Sequence, residues 1–188
     1  MGRESIPHFQ LLMMILKVKS NSEIIVDYYP YHQNINSKIV EDSENFNYNK
    51  GGLQANGKQS NVRALKTVGR VVTSDTLQIV YEWIINLLTG RYSGNYWFIH
   101  RAWLAKYRKG EYAISHDHIP ASFSFVYFVS SPKGSSPLIF TDSGKRINPE
   151  EGKVVIFPGD LKHEVPKNKC DGRITLAGNI FPSVEKMN

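Results

Sequence analysis

A single cysteine, Cys170, occurs among the 188 residues. No intrachain disulfide can form, and a zinc site built from several cysteines is excluded. Cys170 lies in the polar stretch Lys167-Asn168-Lys169-Cys170-Asp171-Gly172, which makes no case for a nucleophile with a depressed pKa. Long hydrophobic runs are missing as well. The longest early one, Leu11 to Leu16, falls well short of the roughly 20 residues a membrane span requires. Lys17 and Lys19 follow it with no small-residue cleavage site, so neither a signal peptide nor a membrane anchor is expected. The default expectation is the cytoplasm. Blocks of like charge are also lacking. The formal charge is +6, but the lysines and arginines are scattered, which reads as a solvated surface with no strong nucleic-acid signal. No repeat of fixed period occurs, so solenoids and propellers are unsupported.

What is present fits one domain, 1–188, with enough apolar content for a sizeable core. Residues 1–60 read as N-terminal strands followed by a polar loop. Leu11 to Val18 and Ile24 to Tyr29 are the strands. From Asn34 to Asn61 polar residues dominate, broken by Gly51, Gly52 and Gly57. This segment reads as a surface loop, with a lid as the functional alternative. Residues 61–95 supply helical support. Ser74 to Leu88 is the one helix expected, capped by Ser74 or Asp75 and ended by Gly90. Its stripe of Leu77, Val80, Tyr81, Ile84, Leu87 and Leu88 is core packing.

After Gly94 the pattern changes. Tyr96 to Tyr107, Phe123 to Val129, Leu138 to Phe140, Lys153 to Phe157 and Arg173 to Phe181 read as short strands separated by turns. Such spacing over 96–183 indicates a sandwich, barrel or jelly roll. Trp97, Trp103, Tyr112, Phe123 and Phe125 would then line a cleft or, more ordinarily, fill the core.

Three histidines stand out in this core. His116 and His118 flank Asp117, and residues i and i+2 of a strand share a face. His163 follows the run Lys153 to Phe157 and the turn Pro158-Gly159, so an antiparallel roll can return it beside the pair. Three ligands on one side of a metal with open positions on the other suit a redox iron, although imidazole also serves zinc, copper and nickel. His8, His32 and His100 lack such surroundings and read as structural.

The pieces YRKGEYAISHDHIPASFSFVYFV, LIFTDSG, GKVVIFPGDLKHEV and GRITLAGNIF resemble the 2-oxoglutarate- and iron(II)-dependent oxygenases. The likeness is greatest to the small prolyl-hydroxylase-like branch of phages and marine bacteria, and NVRALKTVGRVV is similar to the same group. The resemblance implies a mostly β fold with a supporting helix, a double-stranded β-helix (jelly roll, cupin-like), with 96–183 as its catalytic core. It implies Fe(II) and 2-oxoglutarate as cofactors, O2 as cosubstrate, and ascorbate as an optional reductant. It assigns the metal to His116, His118 and His163, and the far carboxylate of 2-oxoglutarate to Arg173 and Thr175, with Tyr107 beside them. A guanidinium grips a carboxylate through two parallel hydrogen bonds, which lysine cannot do. The implied reaction is hydroxylation of an unidentified substrate, at a C–H bond of a prolyl or other protein residue or of a small molecule, with release of succinate and CO2.

One departure from the family matters. The usual pattern is His-x-Asp with a distal His, and here His118 stands where the aspartate would be. Relatives in the phage-like branch also show His-x-His. Asp117 remains the alternative ligand. Three other readings stay open: a three-histidine cupin dioxygenase needing no cosubstrate, a non-catalytic metal-binding jelly-roll module, and a zinc hydrolase.

Overall fold

The computed structural model describes residues 14–19, 22–50, 59–93 and 96–183. The fold opens with β1 (Met14–Lys19) and β2 (Ser22–Tyr28), followed by α1 (His32–Asp42) and a 3-10 turn at Ser43–Asn45. Three short strands come next, β3 (Tyr48–Asn49), β4 (Val62–Arg63) and β5 (Leu65–Thr67), and then α2 (Asp75–Arg91). The remainder is β-structure: β6 (Tyr96–Tyr107), β7 (Tyr112–His116), β8 (Phe123–Ser130) and β9 (Leu138–Phe140). It ends with β10 (Lys145–Ile147), β11 (Lys153–Pro158), β12 (His163–Val165) and β13 (Arg173–Ser183).

Among the described residues the strands form two sheets. The larger runs β1-β2-β11-β8-β13-β6-β5-β3 and the smaller β10-β9-β12-β7-β4, with antiparallel pairing between neighbours. The central strands of the large sheet are buried on both faces, which is why Phe123 to Val129 and Val154 to Phe157 are almost uninterruptedly apolar. Alternation divides their side chains between two cores. Val155, Phe157, Ile24, Val26, Ala105 and Phe128 point between the sheets. Val154, Ile156, Ile25, Leu104, Tyr127 and Leu176 point outward, under the helices.

Helix α2 covers that outer face with Leu77, Val80, Tyr81, Ile84 and Leu88, which belong to the stripe expected from the sequence, while its sixth member, Leu87, is only partly buried. The Ser74 hydroxyl accepts a hydrogen bond from the Leu77 amide at 3.2 Å, a cap of the usual form. Asp75 in the first turn and Arg91 in the last complement the helix dipole.

The expected polar loop over 34–61 needs correction. Its first part is α1, docked on the large sheet through Ile35 and Ile39, with Asn36 buried between them. Asn36 Nδ2 donates to the Val129 carbonyl at 2.8 Å, and the Tyr127 hydroxyl donates to Asn36 Oδ1 at 2.6 Å. The helix hid because Asn and Ser are poor helix formers and its apolar stripe is thin. Its stability therefore comes from this docking. Gly51, Gly52 and Gly57 lie outside the described residues, as do Leu11 to Met13, Gly94 and His8. Among the described residues no helix is long and apolar enough to cross a membrane.

Candidate active site

The three singled-out histidines meet at one end of the smaller sheet. β7 and β12 pair with His116 and His163 directly opposite each other. His118 lies just past β7, where its backbone amide donates to the Gly159 carbonyl at 2.7 Å. The Pro158-Gly159 turn thus anchors the loop carrying the second histidine. One ligand atom from each of the three comes within 4.8 Å of the others. Ring centres lie 4.5 Å apart for His116 and His163, 4.9 Å for His116 and His118, and 5.1 Å for His118 and His163.

The backbone selects tautomers in two of them. His116 Nδ1 lies 2.7 Å from the Ile114 carbonyl and His163 Nδ1 2.9 Å from the Leu161 carbonyl. A carbonyl only accepts, so both Nδ1 atoms carry the proton and both Nε2 lone pairs are left for a metal. Burial then keeps the rings neutral. His118 is pushed down to about 2 by burial first, and further by His163, His116 and Lys66. His163, 4 % exposed, is pushed down to about 4 by burial and by His116, against the Leu161 bond and Asp117. Burial also lowers His116, with the Ile114 bond opposing it. Asp117 is not part of the convergent cluster. Its Oδ1 accepts from the Ile119 amide at 3.3 Å, a local turn contact.

Arg173, Thr175 and Tyr107 lie deeper between the sheets. In the β6–β13 pair, Arg173 stands opposite Tyr107, Thr175 opposite Ala105, Ala177 opposite Trp103 and Asn179 opposite Arg101. These side chains share the inner face. Arg173 is 1 % exposed, yet its Nε and Nη1 have no hydrogen-bond partner. A buried guanidinium with unsatisfied donors is costly unless an anion completes it. Burial is the main force lowering its pKa, countered by Tyr107, and an arginine still remains charged. Burial likewise raises Tyr107. A cavity of ≈ 30 Å³ connects Arg173 and Thr175 to all three histidines. Thr175 and Tyr107 are buried with it.

A second cavity, of ≈ 190 Å³, opens outward from His116 and His118. Trp103 lines both cavities, its ring 5.9 Å from that of His118. Of the other aromatics considered for a cleft, Phe125 also touches the inner cavity, while Trp97 and Phe123 pack with Tyr92 away from it. Tyr112 opens β7 and is half-buried. Lys66, Arg70 and Arg101 line the outer cavity and had not been singled out in the sequence. The signal that could have found Arg101 is the alternation Arg101, Trp103, Ala105, Tyr107 leading to the site along one strand face.

No protein-family model matches the sequence, and no curated protein matches it. Solved structures do match by shape. A viral collagen prolyl hydroxylase from Paramecium bursaria Chlorella virus-1, in complex with 2-oxoglutarate, is similar with a TM-score of 0.63 and 12% identity, over 85% of this protein and 96% of that one. A Pseudomonas putida prolyl-4-hydroxylase is similar with a TM-score of 0.64 and 15% identity, over 87% and 95%. HygX from Streptomyces hygroscopicus, bound to nickel, 2-oxoglutarate and hygromycin B, is similar with a TM-score of 0.64 and 11% identity, over 86% and 83%. The protein has the fold of these 2-oxoglutarate oxygenases, a double-stranded β-helix. At such identities the likeness concerns the fold, and the chemistry has to be argued from the residues.

Proposed function

We propose that this protein is a 2-oxoglutarate- and iron(II)-dependent oxygenase that hydroxylates a substrate C–H bond. The observation that carries the reading is Arg173, a buried guanidinium with two unpartnered donors at the far end of the cavity that begins at His116, His118 and His163. A metal site and a buried cation on one cavity are what a chelating 2-oxo dicarboxylate bridges, its oxo-acid end on the metal and its far carboxylate on the cation. The fit is chemical at both ends: neutral imidazoles with Nε2 lone pairs aimed together, and a fork of N–H donors awaiting an oxyanion.

In this reading His116, His118 and His163 hold iron, and Asp117, which stands outside the cluster, does not. Arg173 and Thr175 hold the remote carboxylate of 2-oxoglutarate, and Tyr107 braces the guanidinium, whose carbon lies 4.5 Å from the ring centre. Iron, when bound, supplies the activation of O2. Overall, 2-oxoglutarate, O2 and R–H give succinate, CO2 and R–OH, so one oxygen atom enters each organic product. The protein's contribution is to orient the cosubstrate and to exclude water with the apolar walls of Val62, Leu138 and Val165. The inner cavity, ≈ 30 Å³, is smaller than 2-oxoglutarate, so the cosubstrate enters with movement of the side chains lining it.

The unpartnered donors of Arg173 favour this reading over a three-histidine dioxygenase without cosubstrate, which brings no cosubstrate carboxylate to pair with them. The test is anaerobic titration of the iron(II)-loaded protein with 2-oxoglutarate, following the visible charge-transfer band of the chelate. A band that Arg173→Ala weakens supports the reading. Iron binding without any band refutes it and leaves the three-histidine dioxygenase. Absence of iron binding refutes both and leaves a binding scaffold.

A further inference from the structure

The outer cavity is charged with one sign. Among the residues lining it, Lys66, Arg70 and Arg101 are cationic and none is acidic, while Asn61 and Asn179 add amide groups. It opens directly on His116 and His118, on the side away from Arg173. Two cations therefore stand along the inner face of the β6–β13 pair, Arg173 buried at one end and Arg101 exposed at the other. The small residues Ala105 and Ala177 lie between them and leave room for the reacting groups.

We propose that the substrate of this oxygenase carries an oxyanion, a phosphate or a carboxylate, which Lys66, Arg70 and Arg101 hold at the mouth of the site while the C–H to be hydroxylated faces the histidines. The proposal rests on the oxygenase reading and adds the substrate class to it.

A basic surface alone would be unremarkable on a protein of charge +6. Three observations separate this one from a solvated face. It lines a concavity of ≈ 190 Å³ instead of a convex surface, a volume suited to one charged group and a few further atoms. Lys66 is half-buried, its ammonium 4.0 Å from the centre of the Trp103 ring, and has no carboxylate partner among the described residues. Arg70 is held in place by Nε donating to the His100 carbonyl at 3.1 Å, with its other end against the His100 ring. Burial and the neighbouring Arg101 act against the charge on Lys66, bringing it down to about 8, and an anion bound between the two cations would relieve both effects. Charges placed this close without an acid repel each other, so the arrangement disfavours a cationic substrate such as an aminosugar.

The test uses protein loaded with nickel(II) and 2-oxoglutarate, a redox-inert form, titrated calorimetrically with inorganic phosphate and with acetate. We expect one site per protein molecule. Lys66→Met/Arg101→Met should weaken the anion by at least about tenfold, as loss of a charge-assisted hydrogen bond implies, with 2-oxoglutarate affinity held within about twofold. Arg173→Met should do the reverse. Circular dichroism of both variants checks that they fold. If the double variant binds the anions as wild type does, or if wild type binds neither, the proposal is overturned. It is also overturned if the double variant loses 2-oxoglutarate in parallel, because the cations then serve the cosubstrate. If wild type fails to bind 2-oxoglutarate while nickel-loaded protein still binds phosphate through Lys66 and Arg101, the oxygenase reading falls and the anion site stands.

Discussion

Arg173 faces Tyr107 across the β6–β13 pair, its guanidinium carbon 4.5 Å from the ring centre, while its Nε and Nη1 have no partner. The aromatic face compensates part of the desolvation but cannot accept the in-plane hydrogen bonds. The guanidinium as it stands therefore carries a stability cost at this point. Arg173→Met should stabilise the cosubstrate-free protein by about 1–3 kcal/mol, a rise in melting temperature of roughly 2–10 °C for a domain of this size. The same variant should lose the thermal shift that 2-oxoglutarate gives to the metal-loaded wild type. Paired thermal melts with and without the dicarboxylate check both. A variant less stable than wild type would mean that the guanidinium is satisfied as it stands.

The histidine cluster sets a sign for pH dependence in the metal-free protein. Free histidine titrates near 6.5, whereas His163 is held down at about 4 and His118 at about 2. Above pH 6.5 the folded and unfolded states are both neutral at these rings, and stability does not change on their account. Below it the unfolded state takes up protons that the folded one refuses, so stability falls with falling pH. At pH 5 each ring contributes a loss of up to about 2 kcal/mol. Urea melts from pH 8 to pH 5 should show this slope, and His118→Gln should flatten it. A slope unchanged in that variant would remove His118 as its source.

Gly159 admits no side chain for a reason of close approach. A Cβ there would run into the Ala121 carbonyl, a backbone atom that cannot swing aside. The Gly159 amide also donates to the Ser122 carbonyl at 3.0 Å, and its own carbonyl holds the His118 amide. Gly159→Ala should therefore cost about 1–3 kcal/mol of stability through overpacking, and weaken metal binding by displacing His118. Gly90→Ala is the control: it lies on α2 with open space around its Cβ position, and should be neutral or stabilising by up to about 1 kcal/mol. Equal effects of the two substitutions would show that the turn does not hold the metal loop.

Much of this site was legible because its parts obey local rules. Turn residues and β-rich runs marked the strands from Tyr96 onward, and β6 and β9 have the bounds read from sequence. His116, His118, His163 and Arg173 stood out by spacing and by resemblance. What escaped depends on tertiary contact. Helix α1 is held by a buried Asn36 and two isoleucines, which no periodicity reveals in a segment rich in Asn and Ser. Strands β7, β10 and β12 carry polar or charged residues in place of the unbroken apolar run that marks β9 at a similar length. Lys66 and Arg70 come from the support region and reach the cavity only because β5 pairs with β6 and Val71 bridges to Ala102.

The three-histidine set leads to a prediction about charge. Neutral imidazoles do not offset a divalent ion, and the nearest charges lining the outer cavity are cations. A carboxylate at position 118 would remove one unit of positive charge and supply the ligand type usual for a facial triad. His118→Asp should therefore bind iron(II) at least about tenfold more tightly, a gain of about 1.4 kcal/mol, which is small against the Coulomb energy of a contact pair even at an effective dielectric near that of a protein surface. It should also lower the iron midpoint potential, because the anion stabilises the ferric state more than the ferrous. Metal titration and spectroelectrochemistry of the variant check both, with His118→Ala as reference for a simple loss of ligand. If His118→Asp behaves like His118→Ala, position 118 does not reach the metal with a carboxylate, and the imidazole is there for its length.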